Sequence, residues 1–222
     1  MVRKISLDIR AILFENDDII AVNKPEGLAS IPERNQEAEN LLAQLSEQYP
    51  HKLYVVHRLD KEVSGVILFA KHVAAHTALN TQFSQRQVRK TYLAVVHGVI
   101  QADSGVIDAP IRQFGSGRMG IDTQRGKASQ TEFIVEERLP NATIVKLHPV
   151  TGRRHQLRVH VYHLGHPIIG DVRYGDKSQQ CQYPRMMLHA VQIVFRALSG
   201  ETIAIDAPLP ESFTAALDAL RQ

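Results

Sequence analysis

The stretch Leu53-Tyr54-Val55-Val56-His57-Arg58-Leu59-Asp60-Lys61-Glu62-Val63-Ser64-Gly65-Val66-Ile67-Leu68-Phe69-Ala70 decides the fold. Its two ends, residues 53–56 and 66–70, are apolar runs bounded by turn-type residues, which predicts two strands. The charged segment between them is then a loop held at both ends by a sheet, and it contains one carboxylate, Asp60. Arg58 stands two residues before that carboxylate and Lys61 directly after it. Nearby positive charge favours the ionised form that a nucleophile or base needs. The loop alone does not establish chemistry, because an Asp bracketed by cations in a turn is commonly a surface ion pair.

Outward from this loop, short strands and a few helices alternate without a repeat. Residues 12–14 and 19–22 flank Glu15-Asn16-Asp17-Asp18 as a hairpin leading into the turn Asn23-Lys24-Pro25-Glu26-Gly27. Leu41, Leu42 and Leu45 predict an amphipathic helix within 37–48, and Val73, Ala74, Leu79 and Phe83 a second over 71–87. Residues 91–96 resume strand character, and strands over 129–136 and 143–147 follow. Thr151 is placed to cap a helix from about residue 152 to 164, with Gly165 at its stop. Leu157, Val161 and Leu164 form its expected buried stripe, with Arg158 at the margin and able to point into a cleft. A hairpin over 187–195 and 201–205 and a helix over 211–220 complete an α+β reading. The expected architecture is a mixed, largely antiparallel central sheet with flanking helices and loops, in one domain spanning 1–222.

Length and composition fit one domain with a sizeable core: 222 residues, 44% of them hydrophobic. The single Cys181 cannot form an intramolecular disulfide, which fits a reducing compartment. The start, Met1-Val2-Arg3-Lys4-Ile5-Ser6-Leu7-Asp8, lacks the apolar segment of a signal peptide. No apolar run approaches the ~20 residues needed to span a membrane, so a cytoplasmic protein is expected. The net charge is +3, but residues 86–196 carry 16 Lys and Arg against 8 Asp and Glu. Such an excess is either a solvated face or the footprint of a polyanion binder.

Gly115, Gly117, Gly120 and Gly126, interleaved with Arg112, Arg118, Arg125 and Lys127, resemble a mobile basic loop; the plainer reading is a long hairpin tip. Their spacing matches no nucleotide-binding fingerprint, so no nucleotide cofactor is expected. His155, His160, His163 and His166 crowd together without a carboxylate at ligand spacing, so no metal is expected. Gly-x-Ser-x-Gly is absent around Ser64, which argues against a serine hydrolase.

Read together, the segments resemble the pseudouridine synthases of the RluA type. The resemblance rests on Asn23-Lys24-Pro25-Glu26-Gly27, on His57-Arg58-Leu59-Asp60 with Ser64-Gly65 and Ala70-Lys71, and on Lys90-Thr91-Tyr92. It continues through residues 147–160, which contain Thr151-Gly152-Arg153-Arg154-His155-Gln156-Leu157-Arg158, to residues 164–171 and Tyr174-Gly175. It implies the pseudouridine synthase fold and an isomerisation of uridine in RNA without a cofactor. The base is detached from ribose, rotated and rejoined through C5. In that pattern Asp60 is the catalytic carboxylate, Tyr92 stacks on the target base and Arg158 pairs with the aspartate. Leu157 lines the base pocket, Arg58 fills the space left by the extruded uridine, and Lys24 and His57 complete the substrate-binding set. Whether the carboxylate adds to the uracil ring, attacks the glycosidic carbon or deprotonates the sugar stays open.

Two departures stand out. Val63 occupies a position where such enzymes usually carry Thr, which keeps the β-branched shape and loses a hydroxyl. Only 22 residues precede Asn23, where many such enzymes carry a small RNA-binding domain, so the catalytic domain is expected to recognise RNA itself. The expected partner is a ribosomal or transfer RNA stem-loop, engaged by a monomer and without a membrane. The rival readings are a catalytically silent RNA-binding or chaperone protein of the same fold, and a carboxylate-dependent nucleoside hydrolase.

Overall fold

In the computed structural model, which describes residues 11–32 and 39–222, the elements follow in this order: β1 (Ile12–Glu15), β2 (Ile19–Lys24), α1 (Leu41–Gln48), β3 (Tyr54–Val55), β4 (Ser64–Ala70), α2 (Val73–Ser84), β5 (Arg89–His97), β6 (Ser104–Asp108), β7 (Ile111–Gln113), β8 (Met119–Ile121), β9 (Gln130–Arg138), β10 (Ala142–Pro149), α3 (Gln156–His163), α4 (Lys177–Gln180), β11 (Leu188–Arg196), β12 (Thr202–Asp206) and α5 (Glu211–Arg221). The chain divides into two compact units, one of residues 1–88 and 190–208, the other of residues 89–189 and 209–222.

In the first unit β4 is the central strand, and all seven of its residues are buried. Burial on both faces explains why its sequence runs apolar without alternation. β2 pairs with it antiparallel, Lys24 opposite Gly65 and Ile20 opposite Phe69, and β1 pairs with β2. The two-residue β3 lies against the end of β4, Tyr54 opposite Ala70. Gly65 has φ +118°, and a Cβ there would overlap the backbone of Ala190, so only glycine lets these segments meet. The hairpin of β11 and β12 matches the expectation, with Gln192 opposite Asp206.

The two helices of this unit start later than periodicity suggested. Asn40 caps α1 by accepting from the Ala43 N–H, and Leu41 and Leu45 are buried; part of the expected range, residues 37 and 38, lies outside the described residues. His72 caps α2 by accepting from the Ala75 N–H at 3.3 Å, while its Nε2 lies 2.9 Å from Asp18. This start sets a face on which Ala75 and Leu79 are buried, so Val73 and Ala74 are exposed rather than in the core.

The second unit is built on an antiparallel meander in the order β5, β10, β9, β6. Tyr92 of β5 lies opposite Leu147 of β10, and Leu147 lies opposite Phe133 of β9. β6, an edge strand too short and polar to be anticipated, pairs with β9. The helix α5 buries Phe213 and Leu217. Each of these ladders is antiparallel, and the fold is the α+β class with a largely antiparallel sheet that the sequence predicts. Among the described residues no helix is long and apolar enough to cross a membrane.

Candidate active site

Asp60 is half-buried and opens a turn closed by the Val63 N–H donating to the Asp60 carbonyl at 3.1 Å. The segment 24–30 fixes that turn. Ser30, itself buried, bonds both backbone groups of Leu59: its Oγ donates to the carbonyl at 2.7 Å and accepts from the N–H at 3.1 Å. On the other side of the aspartate, the Gly27 N–H donates to the Lys61 carbonyl at 2.8 Å. The peptide groups flanking Asp60 are therefore both anchored, and the carboxylate projects from a fixed backbone.

Lys24, expected in the substrate-binding set, takes part in this clamp. It is fully buried, and its Nζ donates to the carbonyls of Leu28, Pro25 and Lys61 at 2.7, 2.8 and 3.2 Å. An ammonium has three N–H groups, and three carbonyls receive them. His57 is likewise committed locally: its Nε2 accepts from the Leu68 N–H at 3.0 Å and its ring stacks on Phe83, with centroids 5.1 Å apart. That nitrogen holds the loop to β4 and has no lone pair left for substrate. Arg58, by contrast, is exposed.

The second unit carries Tyr92, Leu157 and Arg158. Tyr92 is half-buried on β5, two residues after Lys90, whose ammonium burial holds below the ordinary lysine range. Gly152 faces Lys90 Nζ, 4.0 Å from where a Cβ would stand. The helix carrying Leu157 and Arg158 begins at Gln156 rather than near residue 152. Thr151 does not cap it: its hydroxyl donates to Gln156 Oε1 at 2.6 Å and accepts from the Gln130 N–H at 3.0 Å. Gln156 Oε1 also accepts from the Arg153 N–H, and its Nε2 donates to the Gln130 carbonyl and the Thr131 hydroxyl. This network holds residues 151–155 as a turn, with His155 in the left-handed region at φ 54°.

Residues 156–161 of α3 are all buried, so the expected one-sided stripe does not exist, and Leu164 is exposed. Arg158 is inside the core because its charge is met there. Its Nε and Nη2 donate to Asp171 Oδ2 and Oδ1 at 2.7 and 2.8 Å, and the Asp171 side chain has no exposed area. His160 is buried with Nε2 donating to the Ala109 carbonyl at 3.0 Å and Nδ1 accepting from Thr131 at 2.9 Å. Burial holds its pKa below the ordinary imidazole value. Among the described residues no group of three or more His, Cys, Asp or Glu side chains is placed to hold a metal ion.

The glycine-rich basic stretch forms a hairpin. β7 and β8 pair with Ile111 opposite Ile121. Ile111 packs with Val159 and Tyr174, flanked by Met119 and Ile121. Arg112 pairs with Asp122 at 3.1 Å and lies over Phe114 at 4.7 Å. Arg118 lies over the rings of both Tyr162 and Tyr174.

Residues 18–163 match the family model for RNA pseudouridylate synthase. The chain belongs to the RNA pseudouridylate synthase family. It is 45% identical over 192 residues to the dual-specificity RNA pseudouridine synthase RluA of Vibrio vulnificus, an alignment covering 83% of this chain and 76% of that one. It is 39% identical to the ribosomal large subunit pseudouridine synthase C of Pasteurella multocida, over 99% of this chain and 70% of the relative. Among solved structures it is similar to human RNA pseudouridylate synthase domain containing 4, with TM-score 0.79, 28% identity and coverage of 96% and 93% of the two chains. Human RNA pseudouridylate synthase domain containing 1 gives the same TM-score at 33% identity, covering 93% and 86%.

Several residues of this synthase escaped the sequence reading. Asp171 and Tyr174 lie in the quoted motifs but carried no role, since nothing local marks them as neighbours of Arg158. Ser30 has no sequence signal: a serine eight residues into a turn region becomes visible only when its contact with Leu59 is seen. Val63, the departure from the usual Thr, is buried.

Proposed function

We propose that this synthase converts uridine to pseudouridine at defined positions of structured RNA, ribosomal or transfer, with Asp60 as the reacting carboxylate. The observation that carries the reading is the clamp around Asp60: Leu59 and Lys61 are each held by hydrogen bonds from the 24–30 segment. Adding to the ring, attacking the glycosidic carbon and removing a sugar proton all require a carboxylate aimed at one atom, and backbone anchoring supports that aim. The C1′–N1 bond breaks, uracil turns, C5 bonds to C1′, and the C5 proton leaves.

In this proposal Tyr92 stacks on the flipped base and Leu157 lines its pocket. Arg158 pairs with Asp60 and keeps it oriented, and Arg58, exposed beside Asp60, fills the gap left in the RNA stack. Lys24 and His57 serve by holding the loop. The basic hairpin and the exposed cations of residues 86–196 supply phosphate contacts. We read residues 1–222 as one catalytic domain, since the motifs are drawn from both units, acting as a monomer in the cytoplasm without a cofactor. The test is incubation with RNA labelled in the uracil ring, followed by digestion to nucleotides. Label in pseudouridine is expected. Label in free uracil indicates a hydrolase, and label remaining in uridine of bound RNA indicates a silent binder; either contradicts the proposal.

A further inference from the structure

The clamp on Arg158 has no role in the reading so far. Asp171 grips one edge of the guanidinium with two short bonds. Its own orientation is fixed in turn, because Oδ1 also accepts from the N–H groups of Arg173 and Tyr174 at 3.0 and 3.2 Å. The guanidinium carbon lies over the Tyr174 ring, 5.2 Å from its centroid. That ring cannot slide: the Met119 N–H donates to its hydroxyl at 3.1 Å, and the hydroxyl lies 2.7 Å from His155 Nδ1. The Nε/Nη2 edge of Arg158 and its place over Tyr174 are thus set by the 171–174 turn, and Nη1 is the nitrogen Asp171 does not use.

Burial alone does not require such a clamp. A buried pair contributes little net stability over an apolar pair of the same volume, so a bidentate grip reinforced by two backbone donors and a cation–π contact points to geometry. We propose that Asp171, with Tyr174 as the second wall, is a positioning residue that aims Arg158 for uridine isomerisation. It touches no substrate atom and acts only through the arginine. This rests on the reading above that Arg158 serves the catalytic carboxylate.

The test measures single-turnover rate and RNA affinity for R158K, D171N and the double variant, each checked for folding by thermal melting. D171N keeps the shape and one carbonyl but puts an N–H pair against an arginine donor. A displacement on the ångström scale at a catalytic group costs about 10²-fold in rate. Folded D171N is expected to lose about that factor while its RNA Kd changes less than threefold. The double variant is expected to be no more than about threefold slower than R158K, because both changes disable one device. If D171N does not fold, D171E, which keeps the charge but shifts the carboxylate by one methylene, must show the same rate loss and the same non-additivity. Wild-type rate in folded D171N or D171E, or losses that multiply in the double variant, overturns the positioning role. Wild-type rate in R158K overturns the underlying role of Arg158 itself, a separate result.

Discussion

Lys24 shows how a charge can be spent entirely inside the protein. Replacing it with alanine orphans the carbonyls of Leu28 and Pro25 and removes one tie between the 24–28 turn and the Asp60 loop, while the Lys61 carbonyl keeps the Gly27 N–H. Each buried unsatisfied group costs about 1–3 kcal/mol, and water entering the void offsets part of the sum, so K24A is expected to lose about 3 kcal/mol in chemical denaturation. The same variant is expected to lower the single-turnover rate more than the RNA affinity. A variant with native stability whose defect lies only in affinity would return Lys24 to the substrate-binding set. The sequence revealed the motif but not this role, because a lysine at the end of a β-strand reads equally as ligand or staple until the carbonyls around it are seen. Arg158 follows the same logic: its motif was readable, but its burial depends on Asp171, thirteen residues away in the chain.

Element by element, legibility tracked how local the cause was. The hairpin of β1 and β2, the strands around Asp60 and the hairpin of β11 and β12 follow from turn residues and apolar runs inside each segment. The start of α3 does not, since it is set by the bonds of Gln156 to Gln130, Thr131 and Arg153. The same helix carries a pH dependence. Folding keeps His160 neutral by burial, whereas the unfolded chain protonates it below about pH 6.5. The unfolded state then binds more protons, so stability falls as pH drops through that value toward the lower folded pKa. Urea midpoints measured from pH 7.5 to 5 are expected to fall for the wild type and to fall less steeply for H160N, which starts from a lower value. Parallel slopes for the two proteins would contradict this.

Across the whole molecule, the cations are concentrated in residues 86–196, and the hairpin of β7 and β8 presents Arg125 and Lys127 exposed at its base. If they contact phosphates, their loss weakens binding to any RNA and flattens its salt dependence. Changing both to alanine is expected to reduce the slope of log K against log salt by roughly one to two. An unchanged slope would make that face a solvated one. The central claim concerns Asp60, and the most direct measurement uses D60N with RNA carrying tritium at uracil C5. Isomerisation must release that label, because C5 exchanges hydrogen for C1′. The account predicts no tritium release by folded D60N, with RNA affinity within about threefold of the wild type; release at a rate comparable to the wild type would contradict it.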